Sequence, residues 1–582
     1  MTETTRSRIP PHLSKYIVDQ NYARYTAEDQ SVWRYIMRQL TNFLSQHAHA
    51  SYLEGLRRSG LEVEKIPRID DIDRHLETFG WGAVPVSGFI PPAAFMEFQS
   101  IGVLPIASDM RTLDHLLYTP APDIVHEAAG HAPILWDPAY SAYLRQYGEV
   151  ARHSILSKED LAQYSAIRIL SDLKEDSRSL ATEIQAAERT LAQINQSMSG
   201  TSEAALLSRM NWWTAEYGLI GDLKTPRIFG AGLLSSVGES RACLQSTVKK
   251  IPLSVDCVNY SYDITEQQPQ LFVSEDFAQL GEVLEQLAAQ LAYRQGGVRG
   301  LKRAAEAGTV NTVQLNSGVQ ISGVLKSYLC ASDDSPSYLQ FSGPSQLSIQ
   351  NHEFERQGVG QHPHGFSTPL GLVENQRRCL STFSPSDLER LGLRRGERAT
   401  LNFASGICVD GKVSAWTYYA ETLAIITWVD CSVTLGSRLL FDPAWGDYDM
   451  AIGTSVCSVF GGPADRAHYG ETDDFVAKTI PPKKYLPQQL LSHQFFHQLR
   501  DLRQATPDRD ARARFALLLE KYLESASYEW LQGVELLELS FKLNAPEEVR
   551  SRLLATLAPD RFSASSTREC VQDGVKLASV SL

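Results

Sequence analysis

The 582-residue chain lacks the features of a secreted, membrane-spanning or nucleic-acid-binding protein. It has only eight cysteines and no Cys-x-x-Cys pair, so we interpret them as reduced thiols in a cytosolic protein. No apolar run is long enough to cross a bilayer, and no apolar stretch follows the first methionine. Basic residues are not in excess, because 55 lysines and arginines stand against 68 acidic residues, a net charge of −13. The sequence therefore predicts a cytoplasmic protein that binds neither nucleic acid nor anionic membranes.

Two histidines lie five residues apart in the segment of residues 122–133, which reads Pro-Asp-Ile-Val-His-Glu-Ala-Ala-Gly-His-Ala-Pro. These are His126 and His131, and far downstream Glu216 offers a carboxylate in an aromatic setting. Two histidines and one carboxylate on one face of a metal are the ligand set of non-haem Fe(II) oxygenases, which leave the opposite positions open. The pattern therefore indicates oxygen chemistry.

The five-residue spacing differs from the i, i+4 histidine pair of the zinc protease helix. Residue 130, where that second histidine would fall, is glycine. On a regular α-helix a step of five residues turns about 140° past one full turn, so the two side chains diverge. We therefore expect the helix to end or distort between His126 and His131, through the loose backbone of Gly130 and the helix-terminating Pro133.

Three separate motifs, in order, resemble the pterin-dependent aromatic amino acid hydroxylases. They are Leu-Tyr-Thr-Pro-Ala-Pro-Asp-Ile-Val-His-Glu at 117–127, Trp-x-Thr-x-Glu ending at Glu216, and Phe-Gly-Ala-Gly-Leu-Leu-Ser-Ser-Val-Gly-Glu at 229–239. The resemblance extends from about residue 22 to about residue 297, and the likeness is closest to bacterial phenylalanine 4-monooxygenases. It implies a mainly α catalytic domain, a basket of helices and loops, that uses Fe(II), a tetrahydropterin such as tetrahydrobiopterin, and O2. The implied substrate is a small aromatic amino acid, with L-phenylalanine converted to L-tyrosine, and with tyrosine or tryptophan hydroxylation left open.

The resemblance also implies a role for each of ten residues. His126, His131 and Glu216 match the iron ligands. Arg111 matches the arginine that grips the substrate carboxylate, Asp123 the acid that holds this arginine, and Thr119 a contact to the amino acid backbone. Trp212 matches a wall of the aromatic pocket, and Ser235 a serine beside the first histidine. Phe95 matches the aromatic ring that stacks on the pterin, and Glu127 the carboxylate that reaches the pterin through water. Among the departures from the family pattern, Asn211 stands where an aromatic residue is usual and Tyr217 replaces the common phenylalanine.

Two readings from other classes remain open at this point. A zinc hydrolase could use His126, His131 and Glu216, although the five-residue spacing argues against it, and metal analysis would separate the two. A non-enzymatic scaffold could retain a metal while its C-terminal half binds a partner. The intact Arg111, Asp123 and three ligands make the scaffold the weaker hypothesis.

The largest departure is an insertion between the second histidine and the glutamate, at residues 158–208. It is helical and charged, and Leu173, Leu180, Ala187 and Ile194 recur at heptad spacing, which is typical of a coiled-coil seam. We favour a helical hairpin packed on its own domain. The alternative is an arm through which the protein forms a homodimer.

The secondary structure that the sequence predicts changes twice along the chain. Residues 1–300 form the predicted catalytic domain, residues 301–465 a β-rich domain of unknown role, and residues 466–582 a helical C-terminal region. Short β-prone runs predict the strands, and Asp410-Gly411 is typical of a hairpin turn. We expect this half to bind an unknown partner, regulate or assemble, and not to be a second enzyme.

Overall fold

The computed structural model describes residues 1–88, 90–117, 122–175, 179–198, 200–262, 267–470, 485–525 and 529–580. The first half is mainly helical. Its α-helices are Glu3–Arg8, Ala27–His47, Ala50–Arg58, Ile69–Glu77, Pro92–Ser100, Ala132–Ile134, Pro138–Ala151, Lys158–Glu175, Ala181–Ser197, Glu203–Asn211, Ala231–Leu234, Val237–Ala242, Phe277–Ala288, Ala292–Gln295 and Gly297–Ala307. Two π-helices, Val125–His131 and Trp212–Glu216, interrupt this series.

Short sheets and local capping fix the frame of the helical half. Strands Gly82–Val86 and Val103–Ala107 pair in parallel, and a second sheet has the order Arg227–Ile228, Leu219–Ile220, Gln270–Ser274, Lys249–Pro252. The long helix Ala27–His47 begins at a capping box, in which Thr26 and Asp29 satisfy each other's backbone N–H groups. Ala48 and His49 are extended, and a separate helix follows at Ala50–Arg58.

The β-rich part consists of two antiparallel sheets. The first has the strand order His352–Glu353, Pro336–Ile349, Val319–Cys330, Val310–Leu315, Val456–Gly461, and Gly365–Pro369 also pairs with Pro336–Ile349. The second has the order Arg398–Asn402, Ile407–Tyr419, Thr422–Leu435, Arg438–Phe441, and Tyr448–Ala451 also pairs with Thr422–Leu435. Helix Pro385–Arg390 precedes the second sheet, and helix Arg466–Tyr469 follows the last strand. The predicted β-rich character is confirmed.

The predicted hairpin turn at Asp410-Gly411 is wrong. Both residues lie inside the continuous strand Ile407–Tyr419, and the pairing with Thr422–Leu435 shifts register between Asp410 and Lys412. Gly411 is favoured there because a Cβ atom would come within 2.9 Å of the Cα atom of Cys431 on the paired strand. The glycine therefore marks a β-bulge and not a reversal of the chain.

The insertion consists of two helices. Lys158–Glu175 and Ala181–Ser197 pack against each other, and Leu180 is the N-cap residue of the second helix. The heptad series therefore crosses from one helix to the other and does not form one continuous seam. Its members differ in exposure, since Leu180 is exposed and Ala187 is buried.

The C-terminal helices are Pro487–Gln504, Arg509–Glu524, Trp530–Lys542, Glu547–Thr556 and Ser565–Ala578. The first and the last of them contact helix Ala27–His47. Their apolar side chains belong to the same buried cluster as those of helix Ala27–His47. Tyr35 donates a hydrogen bond to the carbonyl oxygen of Cys570 at 2.7 Å, and Arg34 and Arg38 both pair with Glu538. Among the described residues, no helix has both the length and the apolar character needed to cross a membrane.

Candidate active site

The two π-helices present the candidate metal ligands. In a π-helix the backbone bonds join residues five apart, so side chains with that spacing lie one above the other. Ala132 N–H donates to the carbonyl of Glu127, and Tyr217 N–H donates to that of Trp212 at 2.8 Å. The first of these helices brings His126 and His131 together, and their ring centroids lie 5.0 Å apart. The predicted distortion between the histidines is confirmed.

The segment distorts and does not end between the two histidines, because helix Ala132–Ile134 follows His131 directly and ends one residue after Pro133. Gly130 lies inside the distorted segment and also serves close packing: a Cβ atom there would lie 2.6 Å from the carbonyl oxygen of Ala231, on the short helix Ala231–Leu234. The glycine therefore lets this second helix approach the histidine-bearing segment.

Glu216 completes the cluster. Its Oε2 atom lies 3.3 Å from His126 Nε2 and its Oε1 atom 3.3 Å from His131 Nε2. One ligand atom from each residue lies within 4.8 Å of the other two. Burial alone would raise the pKa of Glu216, but the imidazoles of His131 and His126 hold it well below its usual range.

The donor set fits a divalent iron. Ser235 Oγ uses its only proton in a 2.7 Å bond to the carbonyl of Ala231, so it accepts from His126 Nδ1 at 3.1 Å. The ring of His126 is thus protonated on Nδ1 and keeps the lone pair of Nε2 free for a metal. That nitrogen lies 3.3 Å from the carboxylate of Glu216, so a metal ion bound between them would be held by both groups. Two imidazole nitrogens and one carboxylate are ligands suited to non-haem iron.

Arg111 and Asp123 form a buried ion pair beside the cluster. The guanidinium donates from Nε and Nη2 to the two carboxylate oxygens at 2.7 and 2.8 Å. Asp123 also accepts from the backbone N–H groups of Arg111 at 3.1 Å and of His126 at 3.0 Å. Burial would raise the pKa of Asp123, but Arg111 and these hydrogen bonds hold it below its usual value. The pair is thus tied to the first metal ligand through the backbone.

Of the three other predicted residues, Trp212 and Phe95 belong to the described part of the chain. Trp212 begins the second π-helix and stacks on the rings of Tyr217 and Tyr262, at centroid distances of 4.5 and 4.3 Å. Phe95, in helix Pro92–Ser100, is half-buried and packs against a separate small apolar cluster. Thr119 lies outside the described residues.

Glu127 is buried next to the first histidine. Its carboxylate is removed from water and lies near the charges of Glu216 and Asp123, so its pKa is raised to about 8 despite the opposing effect of His131. In the described part of the chain, its Oε2 atom has no hydrogen-bond partner. A buried carboxyl in this state can donate as well as accept a hydrogen bond.

Sequence reasoning overlooked one residue of the cluster. The side-chain amide of Asn211 donates from Nδ2 to Glu216 Oε1 at 3.3 Å. We noted Asn211 only as a departure from the family pattern. Its five-residue distance from Glu216 repeats the spacing of the two histidines and could have identified it.

The chain is similar to known proteins of one family. The family of biopterin-dependent aromatic amino acid hydroxylases matches residues 10–167 and 184–299, and the unmatched residues between lie within the predicted insertion. A phenylalanine-4-hydroxylase of Mesorhizobium japonicum is 27% identical over 274 residues, which are 46% of this chain and 83% of the relative. A phenylalanine-4-hydroxylase of Pseudomonas aeruginosa is 26% identical over 270 residues, 46% of this chain and 86% of the relative. The crystal structure of Chromobacterium violaceum phenylalanine hydroxylase with iron(III) and 7,8-dihydrobiopterin is 25% identical, with a TM-score of 0.38, over 50% of this chain and 93% of that one.

Proposed function

Because residues 10–167 and 184–299 match the family of biopterin-dependent aromatic amino acid hydroxylases, we propose that this protein hydroxylates L-phenylalanine to L-tyrosine. The observation that carries the proposal is the convergence of His126, His131 and Glu216 on one point beside the Arg111–Asp123 pair. The choice of phenylalanine is supported by the relatives, which are named phenylalanine-4-hydroxylases. The zinc hydrolase and scaffold hypotheses are set aside, since the family match accounts for the same residues.

In this proposal His126, His131 and Glu216 hold Fe(II). When bound, the iron and a tetrahydropterin supply the electrons and the activation of O2 that ring hydroxylation needs. Ser235 fixes the tautomer and the orientation of His126 by accepting its Nδ1 proton. The protein thereby holds the imidazole ring in one orientation.

Arg111 is proposed to bind the substrate carboxylate. Asp123 occupies one edge of its guanidinium, formed by Nε and Nη2, and Nη1 lies 3.5 Å from the carbonyl oxygen of Ser235. Because the Asp123 carboxylate neutralises and orients the guanidinium, the remaining donors point in a fixed direction. We propose that Trp212 and Thr119 complete the amino acid site, and that Phe95 and Glu127 contact the pterin.

The test is turnover by the anaerobically reconstituted Fe(II) protein after 18O2 is admitted. Phenylalanine, tyrosine and tryptophan are each supplied with and without tetrahydrobiopterin. We expect pterin-dependent tyrosine that carries one 18O atom, formed from phenylalanine alone. Glu216→Ala and His131→Ala should abolish this product, whereas full activity in either variant would refute the assignment. If only tyrosine or only tryptophan gave a hydroxylated product, that amino acid would be the substrate in place of phenylalanine.

The cellular compartment and the oligomeric state are two further parts of the proposal. All eight cysteines are free thiols, which supports a reducing, cytoplasmic compartment. We propose as the alternative that the two helices of the insertion form a dimerisation arm, because Ile169 and Leu180 are exposed on them. Deleting residues 158–198, which spares the buried helix Glu203–Asn211, and measuring the mass by light scattering tests that role, and an unchanged oligomeric state would exclude it.

A further inference from the structure

Asn211 occupies a special position relative to the metal-ligand carboxylate. It is the last residue of helix Glu203–Asn211, and the π-helix Trp212–Glu216 begins immediately after it. The backbone bond from Tyr217 N–H to the Trp212 carbonyl shows that this turn is wide. Side chains five residues apart therefore share a face. The first π-helix aligns His126 with His131 by this rule, and the second aligns Asn211 with Glu216.

The contact between the two side chains has a defined direction. A carboxylate only accepts hydrogen bonds, so the group of Asn211 that lies 3.3 Å from Glu216 Oε1 must be the NH2. The other end of the amide, Oδ1, is buried and has no hydrogen-bond partner among the described residues. Leaving that oxygen unsatisfied costs free energy. The amide is thus held in place by Glu216 and not by alternative bonds of its own.

The two oxygens of Glu216 have different surroundings. Oε2 has His126 Nε2 at 3.3 Å, whereas Oε1 has both His131 Nε2 and Asn211 Nδ2 at 3.3 Å. Once the imidazoles give their Nε2 lone pairs to a metal, they can no longer donate to the carboxylate. Asn211 is then the donor that the described structure leaves for Oε1.

We propose that Asn211 is a positioning residue that fixes the rotation of the Glu216 carboxylate and thereby sets the affinity and the coordination of the metal. The inference rests on the proposed function only in taking the cluster as the iron site. Metal-ligating carboxylates are commonly hydrogen-bonded by such outer groups, whose loss typically costs about 10–100-fold in metal affinity. The residue touches the ligand and not the reacting atoms, so its effect passes through Glu216.

The experiment measures metal binding to the full-length apoprotein, without substrate or pterin. Fe(II) and Co(II) are titrated in competition with a chromophoric chelator, for the wild type, Asn211→Leu and Asn211→Ala. Both substitutions remove the donor, and they differ in side-chain volume, so one remains informative if the other fails to fold. The control is Asn195→Leu, because Asn195 is an exposed asparagine of the insertion that bonds to Gln163.

We expect both Asn211 variants to bind the metals about 10–100-fold more weakly, with Asn195→Leu unchanged. We also expect the visible absorption bands of the Co(II) protein to shift in the Asn211 variants, which a merely structural role would not cause. Affinities within twofold of the wild type and unchanged spectra would overturn the proposal. Failure of the wild type to hydroxylate any amino acid, with this metal-binding difference intact, would sink the proposed function alone.

Discussion

Single residues at this site act on more than one partner at once. Asp123 binds Arg111 through both carboxylate oxygens and also accepts from the backbone N–H of His126. The resemblance places Asp123 beside Arg111, and the two side chains pair in the structure. The backbone bond to His126 was not predictable, because it depends on where the π-helix begins. One carboxylate thereby joins the proposed substrate-binding arginine to the first metal ligand.

Asp123→Asn tests this link between Arg111 and His126. The amide has nearly the same shape, but it leaves the buried guanidinium of Arg111 uncompensated, so we expect the free energy of unfolding to fall by about 3–5 kcal/mol. Equilibrium unfolding in urea measures the loss. Glu520→Gln is the control, because its pair with Arg552 is about half exposed and should contribute far less. Equal losses in the two variants would show that the Arg111–Asp123 pair has no special weight.

At the scale of the element, the sequence predicted only part of what the two π-helices show. The five-residue spacing showed that the backbone had to depart from an α-helix, since an α-helix would separate His126 from His131. It did not show the form of the departure. The π-helical segment packs on helix Ala231–Leu234, which is more than 90 residues away and approaches closely only because residue 130 has no side chain. The wrong hairpin at Asp410-Gly411 has the same origin, because strand pairing with Thr422–Leu435 overrides the local turn preference.

Gly130→Ala should disturb the contact between the first π-helix and helix Ala231–Leu234. The added methyl group would meet the Ala231 carbonyl at 2.6 Å, and backbone cannot move aside as a flexible side chain can. We expect a loss of about 1–3 kcal/mol in the free energy of unfolding and a substoichiometric metal content. Calorimetry and metal analysis provide the readouts.

Gly238→Ala is the matched control for that substitution. Gly238 is also helical, but its nearest neighbour would be 3.8 Å from the new Cβ atom, which is ordinary contact. This variant should be as stable as the wild type or slightly more so, because alanine is favoured in helices. If both variants behave alike, close packing at residue 130 is not what shapes the site.

At the scale of the whole molecule, the composition and β-prone runs predicted a helical, a β-rich and a second helical region. They did not predict how these regions pack against one another. The C-terminal helices were predicted from their apolar periodicity. Their shared core with helix Ala27–His47 was not, because pairs such as Arg34 and Glu538 are 504 residues apart. The β-rich part meets the helical half at His153, whose ring stacks on Tyr293 at 4.2 Å and meets the edge of Phe460.

This junction should make the protein sensitive to acid. Burial first, and then the nearby Arg152 and Arg466, lower the pKa of His153 from 6.5 to about 4, against the opposing effect of Glu149. Between these values the unfolded chain binds a proton that the folded protein does not. The free energy of unfolding is therefore unaffected by this group above pH 6.5 and falls by about 3 kcal/mol as the pH falls towards 4.

His153→Phe keeps a flat ring in the stack and cannot titrate, so its stability should fall less over the same pH range. Urea unfolding between pH 7 and pH 4.5 compares it with the wild type. His497→Phe serves as the control, because His497 is largely exposed and should leave the acid sensitivity unchanged. Parallel pH profiles for the wild type and His153→Phe would contradict the assignment to this residue.

The shared core also has a consequence for how the chain is made. Helix Ala27–His47 leaves the ribosome early, yet Glu538, the buried partner of its Arg34, is synthesised 504 residues later. At about 5–20 residues per second, this delay is roughly 25–100 s. During that interval Arg34 has its pair with Glu64 but not with Glu538, and the part of the helix that contacts the C-terminal helices Pro487–Gln504 and Ser565–Ala578 is uncovered. The core around this helix is therefore completed only after the last helices of the chain have been translated.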